Sequence, residues 1–452
     1  MNEFRMISTS GLLGYGFPAA SLEAGLAREP HLIGVDGGST DPGPYYLGSG
    51  KPLNSRVAMK RDISLMLRAA ISQRIPLVIS SCGGAGGEPH LGVVVDIVRE
   101  LAREDGLHFK MAVIHADQTH DTVKGLLRNG AIRSLQNSPD IDDDVIDKSN
   151  RIVAMMGAEP YIHALDAGAQ VVLGGRTSDP APWAAAAMRA GLPPAPSWYA
   201  GKMLECGATP SIPKGHDCLI VGVRPDGIVA EPLNPIRRCT PLSLANHSLH
   251  ENASPCFHVE PGGILDTTDC TFEALSDRSV FVSGMRWDPQ PYTVKLEGTQ
   301  LVGHRAITIC GTRDPMLIEG FDSFIASVRQ AVAEKVSGFG LSPDRYRLVF
   351  RVYGKDGVMG PMEPIKDIRS HELGILAEVV ADTQDIANAV IAFARVSLLH
   401  TDFPGRLCRE GNMAFPFSPS DMELQPLYRF SIFHTAALDD PLKLFPIEYE
   451  DL

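Results

Sequence analysis

No CxxC pair occurs among the eight cysteines, which stand scattered at Cys82, Cys206, Cys218, Cys239, Cys256, Cys270, Cys310 and Cys408. Their spacing gives no support to a structural zinc or an iron–sulfur cluster. Basic excess is also missing. The formal charge is -13, which repels nucleic acid and anionic membrane surfaces, so neither is an expected partner. No apolar run approaches the roughly 20 residues needed to cross a bilayer. The opening MNEFRMISTS has neither the basic start nor the apolar core of a secretory signal. A cytoplasmic location with reduced thiols is expected. No GK[ST] follows any glycine-rich loop, which excludes a Walker loop. Internal repeats and low-complexity segments are lacking as well.

What is present is the composition of a folded protein: 44% apolar and 21% charged residues leave no case for disorder. A chain of 452 residues exceeds one ordinary core and suits two domains of roughly 200 residues each. The first part alternates short apolar runs with helix-like stretches. The runs lie at 5–9, 32–36, 76–81, 110–117, 151–157 and 169–176, and helical patterns at 18–27, 61–73, 92–103 and 119–129. Runs apolar on both faces and separated by helices predict an α/β domain with an N-terminal parallel, Rossmann-like sheet and helices on both faces. Proline-rich loops at 191–197 and 210–214 suggest a break there. The expected division is 1–212 for the α/β domain and 213–452 for a mixed α+β domain with a C-terminal arm. In the latter, strands are expected at 292–296, 306–310, 346–353 and 374–380, and helices at 321–337 and 383–399. The proline- and aromatic-rich stretch from Pro416 reads as an ordered arm and points to a homo-oligomer.

In open parallel sheets, ligands bind beyond the carboxyl ends of the strands. Each run ends in a polar or glycine-rich signature. DGGSTDPGP (36–44) offers Asp36, Ser39, Thr40 and Asp41; SSCGGAGGEPH (80–90) offers Cys82, Gly83, Gly84, Gly86, Gly87, Glu88 and His90. HADQTH (115–120) supplies His115, Asp117 and His120, and GGRTSDP (174–180) supplies Arg176, Thr177 and Asp179. Glycines let backbone amides approach a ligand, and a following helix N-terminus attracts anions, so Gly83–Gly87 are candidates to hold a carboxylate or phosphate. A tight strand-to-helix turn explains the same glycines. Arg176 carries a guanidinium fork suited to a carboxylate, with an ion pair to an acidic loop as the competing use. Thr177 and Asp179 fit as caps of the helix that follows. Ser39, Thr40 and Thr177 complete the expected substrate contacts. His115, Asp117 and His120 are candidates for proton transfer, and Asp36, Asp41 and Asp179 for a divalent ion such as Mg²⁺. GLLGYG (11–16) spaces its glycines unlike a dinucleotide fingerprint, despite Asp36 ending the next strand. Cys82, at a possible helix N-terminus, and Cys206, beside Glu205 in LECGATP (204–210), are the alternative nucleophiles. Late in the chain, His400, Asp402, Arg406, Asn412 and Asp421 crowd around a predicted helix end, either near a site or as a polar network fixing the arm.

ALDAGAQVVLGGRTSDPA (164–181), WYAGKMLECGA (198–208), GTRDP (311–315) and LLHTDFPGRLCREGNMAFPFSPSDM (398–422) resemble the acyclic terpene utilisation (AtuA) family. DGGSTDPGPYYLGSG (36–50) is similar to a subgroup of it. The family's usual GxxGFxGD-like amino-terminal loop reads GLLGYGFP here, without the acid. The resemblance implies a setting among enzymes that degrade branched acids and acyl-CoA compounds, often with a small accessory protein. The expected activity is that of a lyase, hydratase- or dehydratase-like, on a small carboxylic acid or acyl thioester. The alternatives are a Cys-dependent acyl-transfer or hydrolytic enzyme, and a non-catalytic metabolite-binding subunit that scaffolds a small partner.

Overall fold

A computed structural model describes residues 3–408 and 412–452. The protein is mixed α/β, as expected, and its contacts gather into two compact units. The first runs to Gln300 and takes in Phe430–Leu452; the second is Leu301–Arg429.

At the heart of the first unit lie five parallel strands in the order Phe4–Ser8, Leu32–Asp36, Leu77–Ser80, Val171–Gly174 and Lys110–Ile114. Leu32–Asp36, Leu77–Ser80 and Val171–Gly174 are buried along their whole length, which is why they read as unbroken apolar runs. Helices Arg56–Gln73 and Glu88–Asp105 help cover one face. Met59, Ile63, Met66 and Leu67 of the first join Leu91, Val94, Val98 and Leu101 of the second against Ile33, Val35 and Ile79. The i, i+3, i+4, i+7 spacing of these residues is the stripe a helix needs to seal a sheet. The other face packs on Tyr161, Trp183 and Trp198. Gly34 is a glycine because a Cβ there would come within 2.5 Å of the Trp183 ring.

Antiparallel strands extend both edges. Leu219–Arg224 pairs with Phe4–Ser8 and is followed outward by Gly227–Pro232, Val280–Ser283 and Thr271–Ala274; Ile447–Asp451 closes the opposite edge on Lys110–Ile114. The compact units therefore divide elsewhere than the expected 1–212 and 213–452. Strands beyond 213 and the C-terminal strand find their hydrogen-bond partners in the first sheet, and sequence distance does not reveal such pairings.

The run at 151–157 departs from expectation in a way that shapes the site. Strand Arg151–Met155 is not part of the parallel sheet. It pairs antiparallel with residues 295–299, setting Lys295 opposite Met155 and Glu297 opposite Val153. The two strands expected at 292–296 and 306–310 are one, Thr293–Thr312. In the second unit, residues 304–312 and Tyr346–Tyr353 flank Leu373–Ala381 in an antiparallel sheet. Helices Phe321–Gly338 and Gln384–His400 supply Phe324, Val328, Val332, Val390, Ile391 and Ala394 to its core. There, Arg406 donates to the carbonyls of Leu399, His400 and Thr401 at the end of Gln384–His400, an ordinary cationic cap. Arg395 pairs with Asp421 at 2.9 Å, and Asn412 donates to Asp314 at 2.8 Å. Arg406, Asn412 and Asp421 are thus held by hydrogen bonds and ion pairs, while His400, Asp402 and Arg406 also line a cavity of about 540 Å³. No helix among the described residues is long and apolar enough to cross a membrane.

Candidate functional site

The parallel strands all point their carboxyl ends to one edge, where Asp36 lies opposite Ser80 and Ile114 opposite Gly174. Beside the loop after Val171–Gly174 opens a cavity of about 540 Å³. Arg176, Ser178, Asp179 and Pro180 come from that loop, and Asp41 from the loop after Leu32–Asp36. Lys202 and Glu205 come from the end of helix Pro194–Leu204, Glu251 and Asn252 from the turn after Pro241–Ser248, and His258 and Glu260 from strand Phe257–Glu260. Lys295 enters from the long strand.

Charge dominates this wall. Arg176, 3% exposed, donates from Nε to Glu297 Oε2 at 2.8 Å, and its Nη1 lies 3.4 Å from Asp179 Oδ1. Lys295 Nζ reaches the other Glu297 oxygen at 2.7 Å. Burial raises the Glu297 carboxyl, but Arg176 and Lys295 together outweigh it and hold it down at about 2. Lys202 Nζ donates to Glu205 Oε1 at 2.5 Å. Burial lifts the Glu205 carboxyl to about 8 against the pull of Lys202. Glu260 accepts a hydrogen bond from the Ser178 hydroxyl and is pushed up to about 7 by burial. Asp179 is raised by burial against Arg176, and Asp36 is raised further, by burial and then by the charge of Asp179. His258 is drawn down to about 4 by burial and the nearby Lys202.

The count of charges decides how the wall is protonated. Six carboxyls (Asp41, Asp179, Glu205, Glu251, Glu260, Glu297) meet three strong cations (Arg176, Lys202, Lys295). A half-closed cavity does not carry that much excess negative charge. Glu205 and Glu260, pushed up to about 8 and about 7, retain protons near neutrality, so the cavity offers acids as well as cations.

Of the residues expected from sequence, Asp41, Arg176 and Asp179 line this cavity, and Asp36 lies behind it, accepting from Ser80 Oγ at 2.7 Å and the Gly38 amide at 3.2 Å. Arg176 is ion-paired, but its main partner Glu297 lies in the strand Thr293–Thr312 and not in an acidic loop. Thr177 is fully buried, donating to the Gly175 carbonyl at 2.7 Å and bonded to Tyr161. Neither Thr177 nor Asp179 caps the following helix Ala181–Arg189, whose N-cap is Pro180 without a side-chain bond. Ser39 Oγ accepts from the Asp41 amide at 3.1 Å, and Thr40 is buried in the same turn.

Gly83, Gly84, Gly86 and Gly87 are closely packed, Gly83 and Gly86 against backbone and Gly84 and Gly87 against side chains. Gly86 takes φ +66°, and a Cβ on it would sit 2.3 Å from the Arg176 amide; Gly84 takes φ +114° against Leu53. The first amide of helix Glu88–Asp105 already has its anion, because Glu88 N donates to Asp117 Oδ2 at 2.6 Å. Asp117 also takes Arg151 Nη1 at 3.2 Å, and His115 Nδ1 meets Glu88 Oε1 at 2.6 Å. His120 Nε2 lies 2.8 Å from the Ser149 carbonyl. His115, Asp117 and His120 are not among the residues lining the cavity. Cys82 is fully buried, and the helix expected to activate it begins only at Glu88; burial pushes its thiol up rather than down. The Cys206 thiol is likewise raised, by burial and then by Glu205.

Lys202, Glu260, Lys295 and Glu297 were not picked out from sequence. Lys202 did leave a signal: one lysine in a helix that is buried on all sides, a placement that demands a partner. Asp36, Asp41 and Asp179 do not form a group within metal-ligand reach of one another. Among the described residues, the group that does is Glu205, Cys206 and His247.

Fold and cavity together define an α/β protein with a charged cavity at the carboxyl edge of a parallel sheet, the place where sites usually form in this class. Residues 58–211 match the model of the acyclic terpene utilisation family protein AtuA, which supports assignment of the chain to that family. The matched segment contains Arg176, Asp179, Lys202 and Glu205, while Asp41, Glu260 and Lys295 fall outside it. No curated protein and no solved structure matches the chain.

Proposed function

We propose that this cavity is the active site of a hydro-lyase-like enzyme that adds or removes water, or a similar small leaving group, on a small carboxylic acid or its acyl thioester. The observation that carries the reading is Glu260. Glu260 is half-buried, its carboxyl is hydrogen-bonded by Ser178, and it shares the cavity with Lys202 and Lys295. Dehydration next to a carboxyl needs a cation near the developing enolate, a base for the proton on the neighbouring carbon, and an acid for the departing hydroxide. Lysines fit the first role. A carboxyl titrating near neutrality fits either of the others, since it can both give and take a proton at working pH. The few apolar wall residues, Met155, Pro180 and Val259, favour a compact polar substrate portion in the cavity. The family's description in terpene utilisation agrees with a catabolic role.

The test is a screen of 2-enoic and 3-hydroxy acids and their thioesters, with water addition followed by loss of the conjugated absorbance. Turnover that disappears in Glu260→Gln, with the fold intact by circular dichroism, supports the assignment. Full activity in that variant removes it.

A further inference from the structure

We propose that Glu205, Cys206 and His247 form a zinc-type metal site on the wall of the cavity. A carboxylate oxygen, the Cys206 Sγ and a ring nitrogen of His247 all lie within 4.8 Å of one another. Glu205 and Cys206 are consecutive residues at the end of helix Pro194–Leu204, and His247 comes from helix Pro241–Ser248, which packs against it.

A second observation, independent of that spacing, points to a ligand. His247 is 4% exposed, and its Nε2 is buried with no hydrogen-bond partner. A buried polar atom left unpaired is destabilising, and coordination would remove that cost. The ring is oriented from behind, where it meets the backbone of Lys202 and stacks on His250 at 5.4 Å. Metal-bound histidines are held in this way, with one ring nitrogen on a backbone carbonyl and the other on the ion.

Ligand chemistry selects the ion. Thiolate, imidazole and carboxylate suit a borderline-soft divalent ion such as Zn²⁺, whereas Mg²⁺ takes oxygen ligands and keeps its waters. Edges of a zinc tetrahedron measure about 3.5 Å, so the three ligand atoms, now within 4.8 Å of one another, would draw together around the ion. Lys202 occupies Glu205 Oε1, which leaves the second oxygen for the ion. Three protein ligands leave a fourth position open, and Glu205 places the site beside the cavity it lines. The site goes beyond the lyase reading and does not depend on it.

The test uses the full chain, stripped with a chelator, dialysed, and titrated with Zn²⁺ or Co²⁺ alone. One tightly held equivalent of zinc is expected. Cobalt should give a thiolate-to-metal charge-transfer band in the near ultraviolet and the visible bands of a tetrahedral ion. Both bands should vanish in Cys206→Ser and His247→Ala and persist in Cys408→Ser, which alters an exposed thiol. Absence of the charge-transfer band in the unmodified chain overturns the site whatever the variants do, as does equal zinc retention by a folded Cys206→Ser. A zinc-loaded chain without turnover on any acid or thioester counts against the lyase reading alone.

Discussion

Replacing Arg176 with methionine strikes the electrostatic centre of the first unit. Arg176 and Glu297 are 3% and 0% exposed, so the substitution leaves a buried carboxylate with only Lys295, whose side chain is 23% exposed. Glu297 is held at about 2 against its ordinary 4.5. At about 1.4 kcal/mol per tenfold change, that corresponds to about 3 kcal/mol supplied jointly by Arg176 and Lys295. Breaking a buried pair from one side costs about 3–5 kcal/mol. For a unit of this size each kcal/mol moves the midpoint by about 2 °C, so Arg176→Met should lower the apparent Tm at pH 7 by about 6–10 °C. The sign with pH follows from the depressed carboxyl. Its stabilisation is fully present above about 4.5 and is lost as pH falls toward 2, so the gap between wild type and variant should narrow in acid. Adding Glu297→Leu should restore at least half of the loss, because no buried carboxylate is then left unpaired. Differential scanning calorimetry from pH 7 down to pH 3 reads all three effects. A single-variant shift under about 2 °C, or a double variant as unstable as the sum of its parts, would refute the reasoning.

Glu260→Gln should lower kcat by about 100-fold or more, the usual worth of a positioned acid or base. If Glu260 serves as the acid, the wild-type rate should fall as pH rises past about 7, and that limb should be missing from the variant. Gly86→Ala forces a side chain into φ +66° and against the Arg176 amide; it should cost at least about 2 kcal/mol, read as a lowered urea midpoint. Cys82 should resist iodoacetamide in the native protein and react fully in guanidinium, since its thiol is buried and shifted upward. Rapid native labelling would place it at an accessible site.

Residues 32–36, 77–80 and 171–174 were readable as strands because burial on both faces leaves a continuous apolar run, and helices 56–73 and 88–105 because their stripes repeat with helical spacing. The sheet to which a run belongs is another matter. Residues 151–155 are as apolar as their neighbours, yet their hydrogen bonds go to 295–299, and no local pattern carries that information. The same limit governs the site. Asp41, Arg176 and Asp179 were legible because parallel topology sends consecutive strand ends to one edge. Glu260 and Lys295 arrive through antiparallel pairings formed more than 80 residues downstream. His115 and Asp117 also sit at a strand end, but their bonds go to Glu88 and Arg151. Strand-end position thus identified an edge and could not separate its two polar clusters.

Isotope transfer from solvent probes the cavity's chemistry most directly. Incubation of 3-hydroxy acids or their thioesters with the full chain in deuterium oxide, followed by proton NMR, should show stereospecific deuterium on the carbon next to the carboxyl. The label should be absent with Glu260→Gln. No incorporation by the wild-type chain into any member of the panel, or equal incorporation by the variant, would contradict proton transfer in this cavity.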